Sequence, residues 1–257
     1  MTRSNLCLHC GSHSVPREQI DAVATPPRTP SWVPIAHARL LAGVQSSLER
    51  AGLSVVSEAH GLSRDGARYF GLLQVVNGQP DHDHDQDQDQ DFGLVVGLRN
   101  SHDKRFPAGL VLGASIFICD NLSFCGEVKL ARKHTAHVGR DLPQLIERAV
   151  GRLGDLRRTQ ESRFAAYKDR ALSDGAAHDL VIQALDARVL PVTGIPDVLR
   201  EWRQPRHPEF RSSGKTAWRL FNSFTETMKG NLDALPRRTQ ALHGLLDSAC
   251  GLAVSRN

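Results

Sequence analysis

The chain has 257 residues, of which 40% are hydrophobic and 23% are charged, and its formal net charge is +4. These proportions are typical of a soluble globular protein long enough to bury a proper core. No run approaches the roughly 18 consecutive apolar residues of a membrane-spanning helix, which excludes an ordinary transmembrane segment. The N-terminus has no apolar signal region, so we expect a cytoplasmic protein.

The charge is unevenly distributed along the chain. The segment Asp81–Asp91 reads DHDHDQDQDQD and holds six aspartates, and without them the formal charge of +4 becomes +10. A low-complexity acidic tract of this kind predicts a solvated loop. The basic remainder favours a polyanionic partner.

The first 34 residues are rich in Pro and Ser and predict an irregular N-terminal segment, residues 1–34. Within it, Cys7 and Cys10 have the CxxC spacing of a zinc knuckle, and His13 follows. Zinc normally takes four ligands, and these three residues leave one to be supplied from elsewhere. A reduced pair without metal is the alternative. The five cysteines are an odd number in a chain without an export signal, so disulfides are not expected.

The elements that follow alternate between helix and strand signals. Residues 35–51 have the apolar spacing of a first helix. Residues 53–60 and 67–76 predict two strands, joined by the turn sequence GLSRDG.

The stretch from Phe92 to His137 has the clearest strand pattern. Nearly continuous apolar runs at 94–98 and 110–119 predict strands covered on both faces, and residues 127–131 predict a third strand. In an antiparallel meander the first loop and the exit of the third strand lie at the same end. We therefore expect the RNSHDKR loop to lie near Lys133 and His134.

The C-terminal half predicts helices. Residues 142–167 have the spacing of one long amphipathic helix whose arginines, including Arg163, lie on its solvated faces. Ser173 is predicted to be the N-cap of the next helix. Further helices are predicted at 195–203, 215–229 and 235–253.

Together these patterns predict an α+β fold in one domain, residues 35–257. An antiparallel sheet of about five strands occupies roughly 53–133, one helix precedes it, and a helical half follows over about 141–253.

Four spaced motifs carry a family resemblance. They are Arg99–Ser101, the glycine-containing strand Gly109–Ile118, the turn Cys119–Asn121 and the segment Lys133–Thr135. With the late segment TAWRLFNSFTE, in which Asn222 and Thr225 match, the chain resembles the bacterial, phage- and plasmid-like proteins of domain-of-unknown-function family 932. The resemblance implies no established catalytic activity. Because members tend to occur on mobile elements, it implies a role in DNA transactions such as recombination.

The favoured hypothesis is therefore a DNA-binding protein without a cofactor. In it, loop and strand-end cations contact phosphates, giving salt-sensitive affinity, while two asparagines hold the loops in place. The predicted nucleic-acid-binding residues are Arg99, Asn100, Lys104, Arg105, Asn121, Arg132, Lys133 and His134. An aromatic content of 5% counts against a large stacking platform.

Two alternatives stay open. In the first, the protein is a metal-dependent enzyme acting on nucleic acid, with His134 as general base and Asp103 or Asp120 as its carboxylate partner. In the second, it is a protein-interaction module that forms a homo-oligomer through its helical half.

Overall fold

The computed structural model describes residues 12–77, 92–116, 121–212, 214–228 and 234–252, and for 116 and 121–129 only the backbone. In chain order its elements are β1 (His13–Val15), α1 (Arg17–Asp21), α2 (His37–Arg50), β2 (Leu53–Ser63), β3 (Arg68–Asn77), β4 (Phe92–Ser101), β5 (Ala108–Ile116), β6 (Asn121–Arg132), α3 (Val138–Val150), α4 (Leu153–Asp169), α5 (Asp174–Asp186), a 3-10 turn (Val192–Gly194), α6 (Ile195–Arg203), α7 (Pro208–Ser212), α8 (Ala217–Met228) and α9 (Leu235–Ala249).

The predicted α+β fold is confirmed. Within the described residues, six strands form one antiparallel sheet in the order of the chain, with helix before it and a helical half after it. The sixth strand is β1, which pairs with β2 and which the sequence did not predict. Both β1 and α1 lie inside the segment that the sequence pattern describes as irregular.

The hairpin of β2 and β3 closes at the predicted turn. Asp65 and Gly66 have φ values of 53° and 81°, and the Ala67 amide donates to the Arg64 carbonyl over 3.0 Å. Positive φ at both central residues is the signature of a type I′ turn, which matches the twist of the two strands and favours Asp-Gly. The sequence DG therefore fixes this hairpin locally.

The chain divides into two compact units, one of residues 1–113 and 127–154 and the other of residues 114–126 and 155–257. In the first unit, α2 packs against β2, β4 and α3. Its buried face is formed by Leu40, Leu41, Val44 and Leu48, in keeping with the apolar spacing of this segment. Residues on both faces of β4 are buried, as its continuous apolar run predicts.

The prediction of one helix over 142–167 is wrong, because the segment forms two helices, α3 and α4. At the break the Gly151 amide donates to the Glu147 carbonyl, but the Arg152 amide donates to that of Ala149, three residues back. This tighter turn falls at a glycine, which disfavours helix continuation. The apolar residues keep their helical spacing across the break, so the sequence pattern does not reveal it.

In the second unit the buried helix is α8, which packs against α6 and α9. Its Phe221 lies within 5.5 Å of both Phe164 and Trp218, measured between ring centroids. The two residues that match the family pattern are buried here: Asn222 donates to the Trp218 carbonyl and Thr225 to that of Phe221. The predicted N-cap is confirmed, because the Ser173 hydroxyl accepts from the Ala176 amide over 3.1 Å.

The expectation that the arginines of this region lie on solvated faces is wrong for Arg163. Its guanidinium and the Asp247 carboxylate are 8% and 7% exposed, and they form three hydrogen bonds of 2.8–3.1 Å between α4 and α9. The Tyr167 hydroxyl donates to the same carboxylate over 2.7 Å. A buried guanidinium needs such partners, because an unpaired one is costly to desolvate.

We predict that Asp247→Ala lowers the free energy of unfolding by about 3–5 kcal/mol, because it leaves the Arg163 charge buried without its counterion. Urea unfolding measures this. Asp155→Ala is the matched control, because Asp155 pairs with Arg158 on the surface of α4, where both side chains are 73% exposed. Equal midpoints for the two variants would contradict the prediction.

Candidate functional site

A cluster of buried polar side chains lies where β4 ends. Asn100 is fully buried, and its amide nitrogen donates to the Ile35 carbonyl over 2.7 Å and to His37 Nδ1 over 2.9 Å. His102 Nε2 donates to the same Ile35 carbonyl over 2.9 Å. We call this arrangement, in which Asn100 and His102 share the carbonyl of Ile35, the Ile35 clamp.

His37 completes the cluster from the first turn of α2. Its Nε2 donates to the Gly66 carbonyl over 2.9 Å, which fixes the tautomer and leaves Nδ1 to accept from Asn100. Its ring stacks on that of His102, with centroids 3.9 Å apart. Burial lowers the pKa of His37 to about 4, the charges of His102 and His134 contribute in the same direction, and the imidazole is therefore neutral at pH 7.

His134 also holds this segment. Its carbonyl accepts from the Val33 amide over 2.9 Å, and its buried ring lies 6.2 Å from that of Trp32. Burial lowers the pKa of His134. Because Thr29 and Trp32 also exchange backbone hydrogen bonds, the segment 29–35 is fixed at several points.

The loop between β4 and β5 is ordered by its own polar groups. The Ser101 hydroxyl donates to the Phe106 carbonyl and accepts from its amide. Asp103 accepts from Arg68 Nε over 2.7 Å and from the Arg105 amide over 3.1 Å. Partial burial opposes ionisation of Asp103, but these hydrogen bonds outweigh it, so its pKa lies below the ordinary value.

Lys104 is an exposed cation of this loop. It has a φ of 63°, and its ammonium lies 4.9 Å from the centroid of the Trp32 ring. Lys104, Arg105 and Lys133 are exposed, and no carboxylate of the described residues pairs with them. Trp32 lies close to residues of both predicted segments, because its ring centroid is 4.9 Å from the Lys104 ammonium and 6.2 Å from the centroid of the His134 ring.

The other predicted site residues have different surroundings. Arg99 is half-buried, with its guanidinium carbon 5.3 Å from the Phe106 ring centroid. Arg132 donates to Asp141 over 2.5 Å. Asn121 begins β6, where only the backbone is described, and Asp120 lies outside the described residues. Asn100 and His134 are buried, so they are placed to support a surface rather than to form it.

The metal hypothesis falls mostly outside the described residues, since Cys7 and Cys10 precede residue 12. His13 is the exposed first residue of β1. Within the part of the chain that is described, no group of three or more His, Cys, Asp or Glu residues could hold a metal ion. No helix of that part is long and apolar enough to span a membrane.

Trp32, His37 and His102 were not predicted as site residues. Trp32 lies in a proline-rich segment without periodicity, and His37 carries no motif. For His102 the available signal was the RNSHD sequence itself, because a polar run directly after a buried strand can supply side chains that are buried in the fold.

A family model described as "Domain of unknown function (DUF932)" matches residues 27–245, which is most of the chain. Searches of curated proteins and of solved structures gave no significant match.

The lowered pKa of His37 predicts a pH-dependent stability. Unfolding returns this pKa from about 4 to about 6.5, so the unfolded state binds more protons. The stabilisation is complete above pH 6.5 and is lost as the pH falls towards 4, by about 3 kcal/mol in total.

Urea unfolding between about pH 7 and about pH 4.5 tests this with His37→Gln, whose amide can still donate to the Gly66 carbonyl but does not titrate. We expect the wild-type protein to lose stability more steeply than the variant. Groups other than His37 are the same in both proteins, so parallel pH dependences would contradict the assignment to His37.

Proposed function

We propose that this chain, which belongs to the DUF932 family, binds single-stranded nucleic acid through Trp32, Lys104, Arg105 and Lys133, which together we call the Trp32 surface. The observation that carries the proposal is a half-buried tryptophan ring beneath the exposed ammonium of Lys104. Two more exposed cations flank these contacts in sequence: Arg105 follows Lys104, and Lys133 precedes His134, whose ring lies 6.2 Å from that of Trp32. The family supplies no activity, so the proposal rests on this geometry and on charge.

The chemistry of the Trp32 surface suits a single strand. Sequence-tolerant binding of single strands combines cations that follow the phosphates with aromatic rings on which bases stack. The Lys104 ammonium now lies over the Trp32 ring. On binding, a base would stack on the Trp32 ring and the Lys104 ammonium would move to a phosphate. One cation–π contact would thus be replaced by a stacking contact and an ionic contact.

The absence of carboxylate partners matters for affinity. Arg68, Arg132 and Arg50 in the same unit are already paired with Asp103, Asp141 and Glu147. Among the described residues the cations of the Trp32 surface have no such pairing to break. Phosphates can therefore bind them without displacing an acidic group, and the basic remainder of the chain adds a favourable long-range field.

The buried polar residues act indirectly in this proposal. The Ile35 clamp and the His134 carbonyl fix the segment that carries Trp32, while the Asp103 interactions fix the loop that carries Lys104. In this proposal Asn100 holds the segment 29–35 in place and does not contact the nucleic acid. The resemblance to phage- and plasmid-like proteins adds support for a role with the DNA of mobile elements.

The enzymatic alternative has less support. A general base at His134 would need a carboxylate to orient it. Of the two predicted carboxylates, Asp103 is the one among the described residues, and it is engaged by Arg68 and the Arg105 amide. We therefore propose binding without chemistry.

Fluorescence anisotropy with labelled oligothymidylate of about 20 nucleotides, between about 50 and about 200 mM KCl, tests the phosphate contacts. We predict salt-sensitive binding that is weaker for duplex DNA of the same length. Lys104→Ala/Lys133→Ala should weaken it and reduce the slope of log K against log salt by about 1.4, since each single-strand phosphate contact contributes about 0.7.

The control is Arg237→Ala/Arg238→Ala, which removes the same charge from α9. Two outcomes would contradict the proposal: no binding at low salt by the wild-type protein, or an equal loss in both double variants. The second would indicate an effect of net charge alone.

Tryptophan fluorescence tests the stacking contact separately. The chain has three tryptophans, and Trp202 and Trp218 are only 0% and 3% exposed, so quenching by bound DNA should report on Trp32. We predict quenching that Trp32→Leu abolishes, together with a loss of about 1–3 kcal/mol of binding free energy. Trp202→Phe, a change in the buried core, should leave the quenching in place. Unquenched fluorescence at saturating DNA would exclude stacking on Trp32.

A further inference from the structure

A groove lies between α2 and α3, on a part of the first unit that does not include the Trp32 surface. Its volume is about 390 Å³, and its lining includes Ile35, Arg39, Ala42, Val138, Leu142 and Ile146. We propose that this groove binds a small carboxylate with an apolar tail. The proposal is independent of nucleic-acid binding.

The floor of the groove is apolar. Ile35, Val138, Leu142 and Ile146 contribute side chains that are buried in the fold and border the cavity. A cavity of this size falls in the lower part of the ~300–1,000 Å³ range of small-molecule sites, which are mostly apolar with a few placed polar groups. That size favours a compact ligand over a partner helix, which would need a longer apolar track.

The positive charge at the edge of the groove determines which ligand head group it favours. Arg39 and Arg50 both line the groove and lie eleven positions apart on α2, which corresponds to about 16 Å. Arg50 is paired with Glu147 over 2.8 Å. Arg39 is exposed, and its side chain has no hydrogen-bond or ionic partner among the described residues. The available positive charge is therefore at the Arg39 end, where a guanidinium can bind a carboxylate in a bidentate manner.

The walls of the groove are preformed. Ile35 is held by the Ile35 clamp, and the Val33 amide donates to the His134 carbonyl. The Val33–His134 bond joins the chain entering α2 to the chain entering α3, and the clamp joins the chain entering α2 to the end of β4. The chains entering α2 and α3 both border the groove. A ligand would thus enter a site whose ordering cost is already met by folding.

Gly139 provides a way to block the site. It lies in the groove lining at the second position of α3, and an added Cβ would meet no heavy atom within 4 Å. Gly139→Phe should therefore add a large side chain at the groove without a clash at Cβ. Gly175→Phe is the matched control, because Gly175 is the second residue of α5, does not line the groove, and its added Cβ would meet only Ser173 Oγ at 3.9 Å.

Isothermal titration calorimetry of the full-length protein with octanoate tests the proposal. We expect saturable binding at one site, which Gly139→Phe abolishes and Gly175→Phe preserves. Arg39→Gln should weaken octanoate binding about fivefold. Arg237→Gln, which changes the exposed third residue of α9, should not weaken it.

Further titrants define the ligand chemistry. Octanol lacks the charge, so any binding of it should be unaffected by Arg39→Gln, and acetate lacks the tail and should not bind. The proposal is overturned if octanoate gives no saturable heat, if Gly139→Phe binds as the wild-type protein does, or if only an acidic amphipathic peptide binds. The last result would assign the groove to a protein partner.

Discussion

The carbonyl of Ile35, which accepts hydrogen bonds from both Asn100 and His102, is the contact on which the candidate sites depend. It ties the chain entering α2 to the end of β4, across more than sixty residues of sequence. His37 extends the connection to the turn at Gly66. Since the segment 29–35 has no regular secondary structure, these side chains supply the backbone partners that a strand or helix would otherwise provide. The hydrogen bonds to the Ile35 carbonyl therefore help to position both Trp32 and the side of the α2–α3 groove that Ile35 lines.

The cluster also explains why several polar residues are buried at one place. An imidazole can donate at one nitrogen while accepting at the other, so a neutral His37 bridges a carbonyl and an amide without carrying charge. A lysine or a carboxylate could not serve both partners in a dry site. The stacked rings of His37 and His102 tolerate their 3.9 Å spacing because burial keeps His37 neutral. The cations needed for a polyanion remain outside, at Lys104, Arg105 and Lys133.

Local signals in the sequence predicted the elements well and their contacts poorly. The Asp65–Gly66 turn, the apolar run of β4 and the Ser173 cap each depend on neighbouring residues, and each is confirmed. The break at Gly151 was missed because apolar spacing continues across it. The burial of Arg163 depends on Asp247, which is 84 residues away and has no signal in local periodicity. The candidate site was predicted only in part. The polar residues at the strand ends could be identified from local sequence, but Trp32 and Ile35, which they contact, are distant in sequence and could not.

The central claim is that the buried polar residues hold the segment that carries Trp32. Amide hydrogen exchange at Val33 tests it most directly in Asn100→Ala, with Asn77→Ala, at the exposed end of β3, as control. The account predicts that Val33 exchanges at least about tenfold faster in Asn100→Ala while amides of α9 are unchanged, as expected for a local opening after the loss of about 1–3 kcal/mol. Unchanged exchange at Val33, or an equal increase in α9, would contradict the claim.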